Sequence, residues 1–462
     1  MLTLRIRGVR LRQVCQCDTL ASMVPIILML LFLAELLPAQ SAVEDYNVYA
    51  EHPRLLLQAR RLRLLRRERE RQSPRWKQFA MLVQGKARMP EPGFALGLFY
   101  QVSGDRQAGR SAVEWAVGPG TDLRQLALVY DWCQPLLSEA EKETLAAKLK
   151  RGLGKKPGGS DPAEVRSRAF AAIALADQQE LSQIVQTWWR SDFAPRLRAG
   201  KAALPHRSVY PLFELLHSLR DNLHVDLRED AGAFFKDLPS IQLLSYYPAS
   251  YPAAENDYRI PAYAGRGEPD LNEAALSRAA EFSMVAYDSN AVESQFLQGW
   301  LTHDRFVLRS PFGAPYEYLW ANPYQPGLSY FHMPLSFHDR RSGQLYVRSS
   351  WEEDAEWLGY FDGKMQMFSE GKIRNPGAAA PLERKVIGDA VLVQAEPGKA
   401  LKIEAGNPEK LYILGLEPRQ IYDIEVDDEE LTEQRSDSGG IVSLTVAREE
   451  GVGVRLRARP AN

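Results

Sequence analysis

The sequence predicts an α+β multidomain protein, an N-terminal α/α toroid followed by a C-terminal region of antiparallel β-sheet or β-sandwich. Three observations predict it. Apolar residues recur at helical spacing, with helix caps between them, from about residue 52 to 301. From about residue 302 the chain turns rich in proline and aromatic residues, a composition that no long helix tolerates. Beyond that stretch the apolar period becomes two. With 462 residues, 45% of them hydrophobic, the chain can bury a sizeable core in two or three domains.

Residues 1–42 read as a signal peptide. The apolar run Ile26 to Leu33 is followed by Ala39, Ser41 and Ala42, a pattern for cleavage near Ser41 or Ala42. Met23, just before the run, is an alternative start. The run is short for a bilayer, and Glu35 and Pro38 oppose a permanent anchor, so a periplasmic or secreted chain without a stable membrane span is expected. Of the three cysteines only Cys133 lies beyond this segment, inside the apolar run YDWCQPLL, where a buried inert thiol is expected.

The toroid is expected over 44–301. Its first helix carries the arginine-rich stretch ARRLRLLRRERERQSPRW, yet Leu55, Ala59, Leu62 and Leu65 make one apolar face and most of the arginines fall off it. Lys and Arg (57) are matched by Asp and Glu (59), so no global positive field exists to hold a polyanion, and nucleic acid is not an expected partner. Further along, Ser138 with Glu141 forms a capping box, Gly152 or Gly154 a stop, and Asp161 with Pro162 another helix start. A helical region of this length exceeds a single bundle, which leaves stacked hairpins or a toroid. A crossover follows over 302–345, then the β-domain over 346–462. There Tyr422, Ile424 and Val426, Val442, Leu444 and Val446, and Val452, Val454 and Leu456 alternate with polar residues, and turns at Asp427-Asp428 and Gly439-Gly440 suggest an antiparallel meander.

Three phrases, in order along the chain, resemble the heparinase II/III-like and alginate-lyase-like polysaccharide lyases. They are EHPRLLLQARRLRLLRRERERQSPRWKQF, LALVYDWCQPLLSEAEKETLAAKL and GQLYVRSSWEEDAEWLGYFDG. The resemblance implies a toroid paired with antiparallel sheets and cleavage of uronate polysaccharides between them. Two departures accompany it. The family's histidine-rich stretch after RSxW is replaced by FDGKMQMFSEGKIRNPG, with Met365, Met367 and Ser369 at the polar positions, and PAEVRSRAFAAIALADQQE lacks the Asn or Asn/His helix start.

Elimination at a uronate needs a group that neutralises the carboxylate, a base for the C5 proton and an acid for the leaving oxygen. Two segments, LPHRSVYPLFELLH and YYPASYPAAENDYRIPAYAGRG, concentrate suitable residues. Tyr258 is expected as base or acid, His206 and Asn256 near the uronate, and Arg259 on its carboxylate. Substrate contacts are expected from Arg207, Tyr210, Tyr247, Tyr251, Tyr263, Trp189, Trp320 and His332. Blander readings stand beside these: Tyr246, Tyr247 and Tyr251 can pack the loop against the helices, one of Trp188 and Trp189 belongs in the core, and His206 can cap the next helix. His332 and His338 can each reach the cleft from the β side. No phosphate-binding glycine loop, nucleophile elbow or metal-spaced histidine pair is present, so no cofactor or metal is expected. The expected activity is that of an exported lyase on a uronate polysaccharide. The alternatives are a non-catalytic carbohydrate-binding relative and a glycoside hydrolase, for which Glu214, Glu255, Asp257 and Glu268 offer carboxylates.

Overall fold

Helices fill the first two thirds of the chain and sheets the last third in the computed structural model. It describes residues 46–155, 161–202, 204–263, 267–304, 306–361, 363–375, 384–394, 403–405, 410–426, 430–445 and 452–459. The expected signal segment lies outside the described residues. No described helix is long and apolar enough to cross a membrane.

The helices are α1 (Ala59–Glu70), α2 (Pro74–Gln84), α3 (Pro92–Ser103), α4 (Arg106–Val117), α5 (Leu123–Trp132), α6 (Glu139–Leu153) and α7 (Pro162–Leu175). Next come α8 (Gln178–Ser182), a π-helical stretch Gln183–Phe193 and α9 (Ala194–Arg198). The last are α10 (His206–Leu223), α11 (Gly232–Leu244), α12 (Leu271–Tyr287), α13 (Val292–His303) and α14 (Ala314–Trp320). Helices α3, α5, α7, α10, α12 and α14 each pack on the next, and α14 returns to α3, closing an inner ring. The outer layer is hairpin partners: α4 lies on α3, α6 on α5, α8 on α7 and α13 on α12. This is an α/α toroid.

Local chemistry accounts for the helix ends. The Ser138 hydroxyl accepts from Glu141 N while the Glu141 carboxylate accepts from Ser138 N at 2.8 Å, and Gly154 follows the last residue of α6. Asp161 caps α7, with Pro162 at its first position. Cys133 is buried at the end of α5, where burial and then Asp131 push its thiol up to about 12. Helix α14 lies within the stretch expected as crossover. Its single proline, Pro315, sits at the start, where no helical N–H bond is lost, so seven residues can coil and close the ring.

The β-region is a stack of three sheets. The first is β3 (Ser336–Asp339), β4 (Gln344–Arg348), β5 (Trp357–Phe361), β6 (Lys364–Ser369) and β7 (Lys372–Arg374), antiparallel in sequence order. It opens at Ser336, earlier than the expected 346. The second orders β14 (Val442–Leu444), β11 (Lys410–Leu414), β9 (Ala390–Gln394) and β8 (Lys385–Ile387), with β11 and β9 parallel. The third orders β10 (Ile403–Ala405), β15 (Val452–Ala458), β12 (Ile421–Val426) and β13 (Glu430–Arg435). The expected single meander is therefore corrected. The Gly439-Gly440 turn leads from the third sheet into the second, and the Asp427-Asp428 turn lies outside the described residues.

The middle sheet is buried on both faces, which is why its strands read as continuous apolar runs. Leu392, Tyr412 and Leu414 meet Leu345, Val347 and Leu358 of the first sheet. Val391, Val393, Leu411 and Ile413 meet Tyr422, Ile424, Val454 and Leu456 of the third. At one edge the β3–β4 turn touches the 438–440 turn backbone to backbone. Gly343 has φ +71°, and a Cβ there would strike Gly439. The other face of the first sheet packs on the toroid: Trp357 Nε1 donates to Leu244 O at 2.7 Å, and Tyr247 OH donates to Gln366 Oε1 at 2.9 Å.

Candidate functional site

The segment that carries the expected catalytic residues forms a short ladder, β1 (Tyr251–Pro252) with β2 (Asp257–Tyr258), beside the first sheet. Its side chains are largely engaged with the protein. Tyr258 is buried, packs on Phe306 and donates its hydroxyl proton to Glu255 Oε1 at 2.6 Å. Burial, then the Glu255 carboxylate, hold its phenol well above the ordinary range. Asn256 gives its amide to Val307 O. Arg259 is held by three partners: Asp304 Oδ1 at 3.0 Å, Glu353 Oε1 at 2.9 Å and Pro248 O at 2.6 Å.

The other expected contacts scatter. His206 begins α10 half-buried, with Nδ1 enclosed and without a partner among the described residues, and burial lowers its imidazole to about 4 despite a hydrogen bond to Gln242. Arg207 is exposed beside it. Tyr210 and Trp320 are buried inside the ring and bonded to each other, Trp320 Nε1 donating to Tyr210 OH at 2.9 Å, so neither is an exposed sugar platform. Trp189 is the core member of its pair, its Nε1 donating to Leu227 O at 3.0 Å, while Trp188 is half-exposed and stacks on Phe193. Tyr247 packs between Trp357 and Phe368, and burial raises its phenol to about 12. Tyr251 and Tyr263 remain half-exposed, bonded to Glu268 and to Gly267 O. His338 pairs with Asp437 at 2.6 Å inside the β-stack, whereas His332 is exposed.

The centre of the ring is filled by a charged network. Glu214 is fully buried, takes two bonds from Arg124 (2.9 and 2.7 Å) and one from Arg166 (2.8 Å), and accepts from Tyr210 OH at 2.6 Å. Burial opposes its ionisation, but the two guanidinium groups hold its carboxyl below the ordinary range. With Glu214 so paired, and with Glu255 and Glu268 each bonded to a tyrosine, three of the four carboxylates considered for a hydrolase pair are tied to protein groups.

One cluster at the boundary of toroid and sheet combines residues that the sequence keeps far apart. Arg348, the last residue of β4, is buried with its guanidinium 4.4 Å over Trp351. It bonds only the carbonyls of Ser350 and Glu352 and has no carboxylate partner among the described residues. Burial, then neighbouring Arg259, lower it to about 9. Tyr330 lies edge-on to Trp351 (5.5 Å) and to Trp300 (5.2 Å), and its hydroxyl has no described hydrogen-bond partner. Burial and Asp304 raise its phenol, while Arg259 and Arg348 act the other way. His303 lies 6.3 Å from Tyr330, ring to ring, and Phe331 and His332 are exposed at the rim. Of the expected site residues, this cluster gathers Arg259 and places His332 at its edge. A desolvated guanidinium without a counter-charge, beside a second guanidinium and aromatic faces, can receive an anionic group on a ring-shaped ligand. Arg348 reads in the sequence as a strand residue. The available signal was an arginine at an otherwise apolar position of QLYVR.

Among the described residues no group of three or more His, Cys, Asp or Glu could hold a metal ion. No family model matches the chain, and no curated protein matches it. Among solved structures a glycoside hydrolase is similar at 10% identity, over 80% of this chain and 71% of that one, with a TM-score of 0.29. Agreement at that level carries no argument about activity.

Proposed function

We propose that the protein binds an acidic polysaccharide at the toroid–sheet boundary, with Arg348 receiving a carboxylate and the aromatic groups around Tyr330 flanking the sugar. The observation that carries this reading is Arg348 itself, a buried cation with no acidic partner among the described residues. Leaving such a charge unpaired is costly, and an anionic ligand would relieve it. The toroid-and-sheet architecture and the three phrases similar to uronate polysaccharide lyases support a glycan rather than another anion. The non-catalytic form of the reading is favoured because Tyr258, Asn256 and Arg259 are engaged with other protein groups. A lyase reading is kept by one observation: the Tyr330 hydroxyl is free of described partners, and Arg259 and Arg348 oppose the burial and the Asp304 charge that raise its phenol. In that reading Arg348 neutralises the carboxylate, the Tyr330 phenolate takes the C5 proton, the C4–O bond breaks, and the phenol gives its proton to the leaving oxygen.

The test is to titrate uronate polysaccharides and a neutral polysaccharide into the protein, following binding calorimetrically and elimination through the ultraviolet absorbance of the unsaturated product. Binding of a uronate polymer without a rise in absorbance supports the proposal. Binding with a rise moves the assignment to the lyase. Absence of binding to every acidic polymer overturns both.

A further inference from the structure

A pocket of about 710 Å³ opens where α10, α12 and α14 end, against one side of α1. It shares no residue with the boundary cluster. Its wall includes five arginines, Arg60, Arg61, Arg63, Arg67 and Arg220, against two acids, Asp221 and Asp288. The acids are already paired: Asp288 with Arg228 at 3.3 Å and Asp221 with Arg220 at 3.5 Å. Arg60, Arg63 and Arg67 have no ion pair or hydrogen bond from their side chains among the described residues. They sit three and four residues apart, so their side chains share one helix face over about 10 Å. Arg61 lies 4.2 Å over the Trp320 ring and, among the described residues, donates only to Leu319 O. Burial lowers it to about 10, with Asp221 opposing and Arg220 adding to the effect.

We infer that this pocket is a second binding site, for a sugar-sized ligand that carries a sulfate or phosphate ester. The inference does not rest on the boundary site. The volume falls within the range of about 300–1,000 Å³ that small-molecule sites occupy, far more than a bare ion needs. A carboxylate is satisfied by one bidentate guanidinium, whereas an ester oxyanion presents three peripheral oxygens and can accept from several arginines at once. The rest of the wall suits a polyol: the exposed Asn290 and the half-buried Asn322 and Gln325 offer amide groups to hydroxyls. Nucleic acid fits less well, because the whole chain carries a formal charge of −2 and offers no extended positive field.

The experiment is calorimetric titration of the intact chain with a hexose sulfate, the matching hexose phosphate, the uncharged hexose and a single-stranded oligonucleotide. It is repeated on R60A/R63A/R67A, whose side chains have no described partners to lose. The expected result is binding of one or both esters with no binding of the hexose. The variant is expected to bind about a thousandfold more weakly, about tenfold for each guanidinium removed. The ester that binds more tightly identifies the source. Failure of both esters to bind the wild type, equal affinity in the variant, or tighter binding of the oligonucleotide would each overturn the inference. A variant with an unchanged thermal midpoint shows that the loss is local.

Discussion

Arg124 and Glu214 form a bidentate pair at the centre of the helical ring, with N–O distances of 2.9 and 2.7 Å and both side chains almost fully excluded from solvent. Arg166 adds a second cation to the same carboxylate, and Arg124 also reaches Glu91 at 3.3 Å. The pair links α5 to α10, and through Arg166 to α7, so three neighbouring inner helices converge on one carboxylate.

Removing that carboxylate leaves two guanidinium groups in a low-dielectric interior. Glu214→Ala is expected to destabilise the fold by about 3–5 kcal/mol, the cost typical of breaking a buried pair. Chemical denaturation of wild type and variant measures it. A loss below about 1 kcal/mol would show that the ring is not organised around Glu214.

Tyr258 offers a contrast, since its hydroxyl is bound to Glu255 at 2.6 Å and also meets Ser310. Tyr258→Phe is expected to cost about 1–3 kcal/mol of stability, the worth of a hydrogen bond to a charged group, and to leave polysaccharide affinity unchanged. A fall in affinity or in lyase activity at unchanged stability would return Tyr258 to the site.

Two histidines make the fold sensitive to acid. Burial lowers His206 to about 4 and His217 well below its ordinary value. In the unfolded chain both bind protons near pH 6.5, so between that pH and the folded values the unfolded state holds more protons. Stability is therefore fully present above about pH 6.5 and declines as pH falls toward about 4. Urea midpoints across this window should drop for wild type and drop less for His206→Asn. Parallel curves for the two proteins would remove His206 from this effect.

Much of the fold is legible locally because its signals are local. The capping box at Ser138, the proline start at Pro162 and the change of apolar period each involve residues within a few positions of one another. The Tyr258 bond to Glu255 is equally local, spanning three residues. The partners of Arg259 are not, since Asp304 and Glu353 lie 45 and 94 residues away. Likewise, alternation shows that Val442 and Leu444 face a core, but not that β14 joins a different sheet from β13. The arginines of α1 read as a solvated face, and only the distant helix ends of α10, α12 and α14 turn that face into a pocket wall.

The most direct measurement is the affinity of wild type, Arg348→Lys and Arg348→Ala for an acidic polysaccharide that wild type binds. The account predicts about a tenfold or greater loss in Arg348→Ala, consistent with one charge-assisted contact of about 1.5–3 kcal/mol, and a smaller loss in Arg348→Lys, which keeps the charge but not the planar fork. Equal affinity in all three, with the variants folded, would contradict the assignment of Arg348 as the anion receptor.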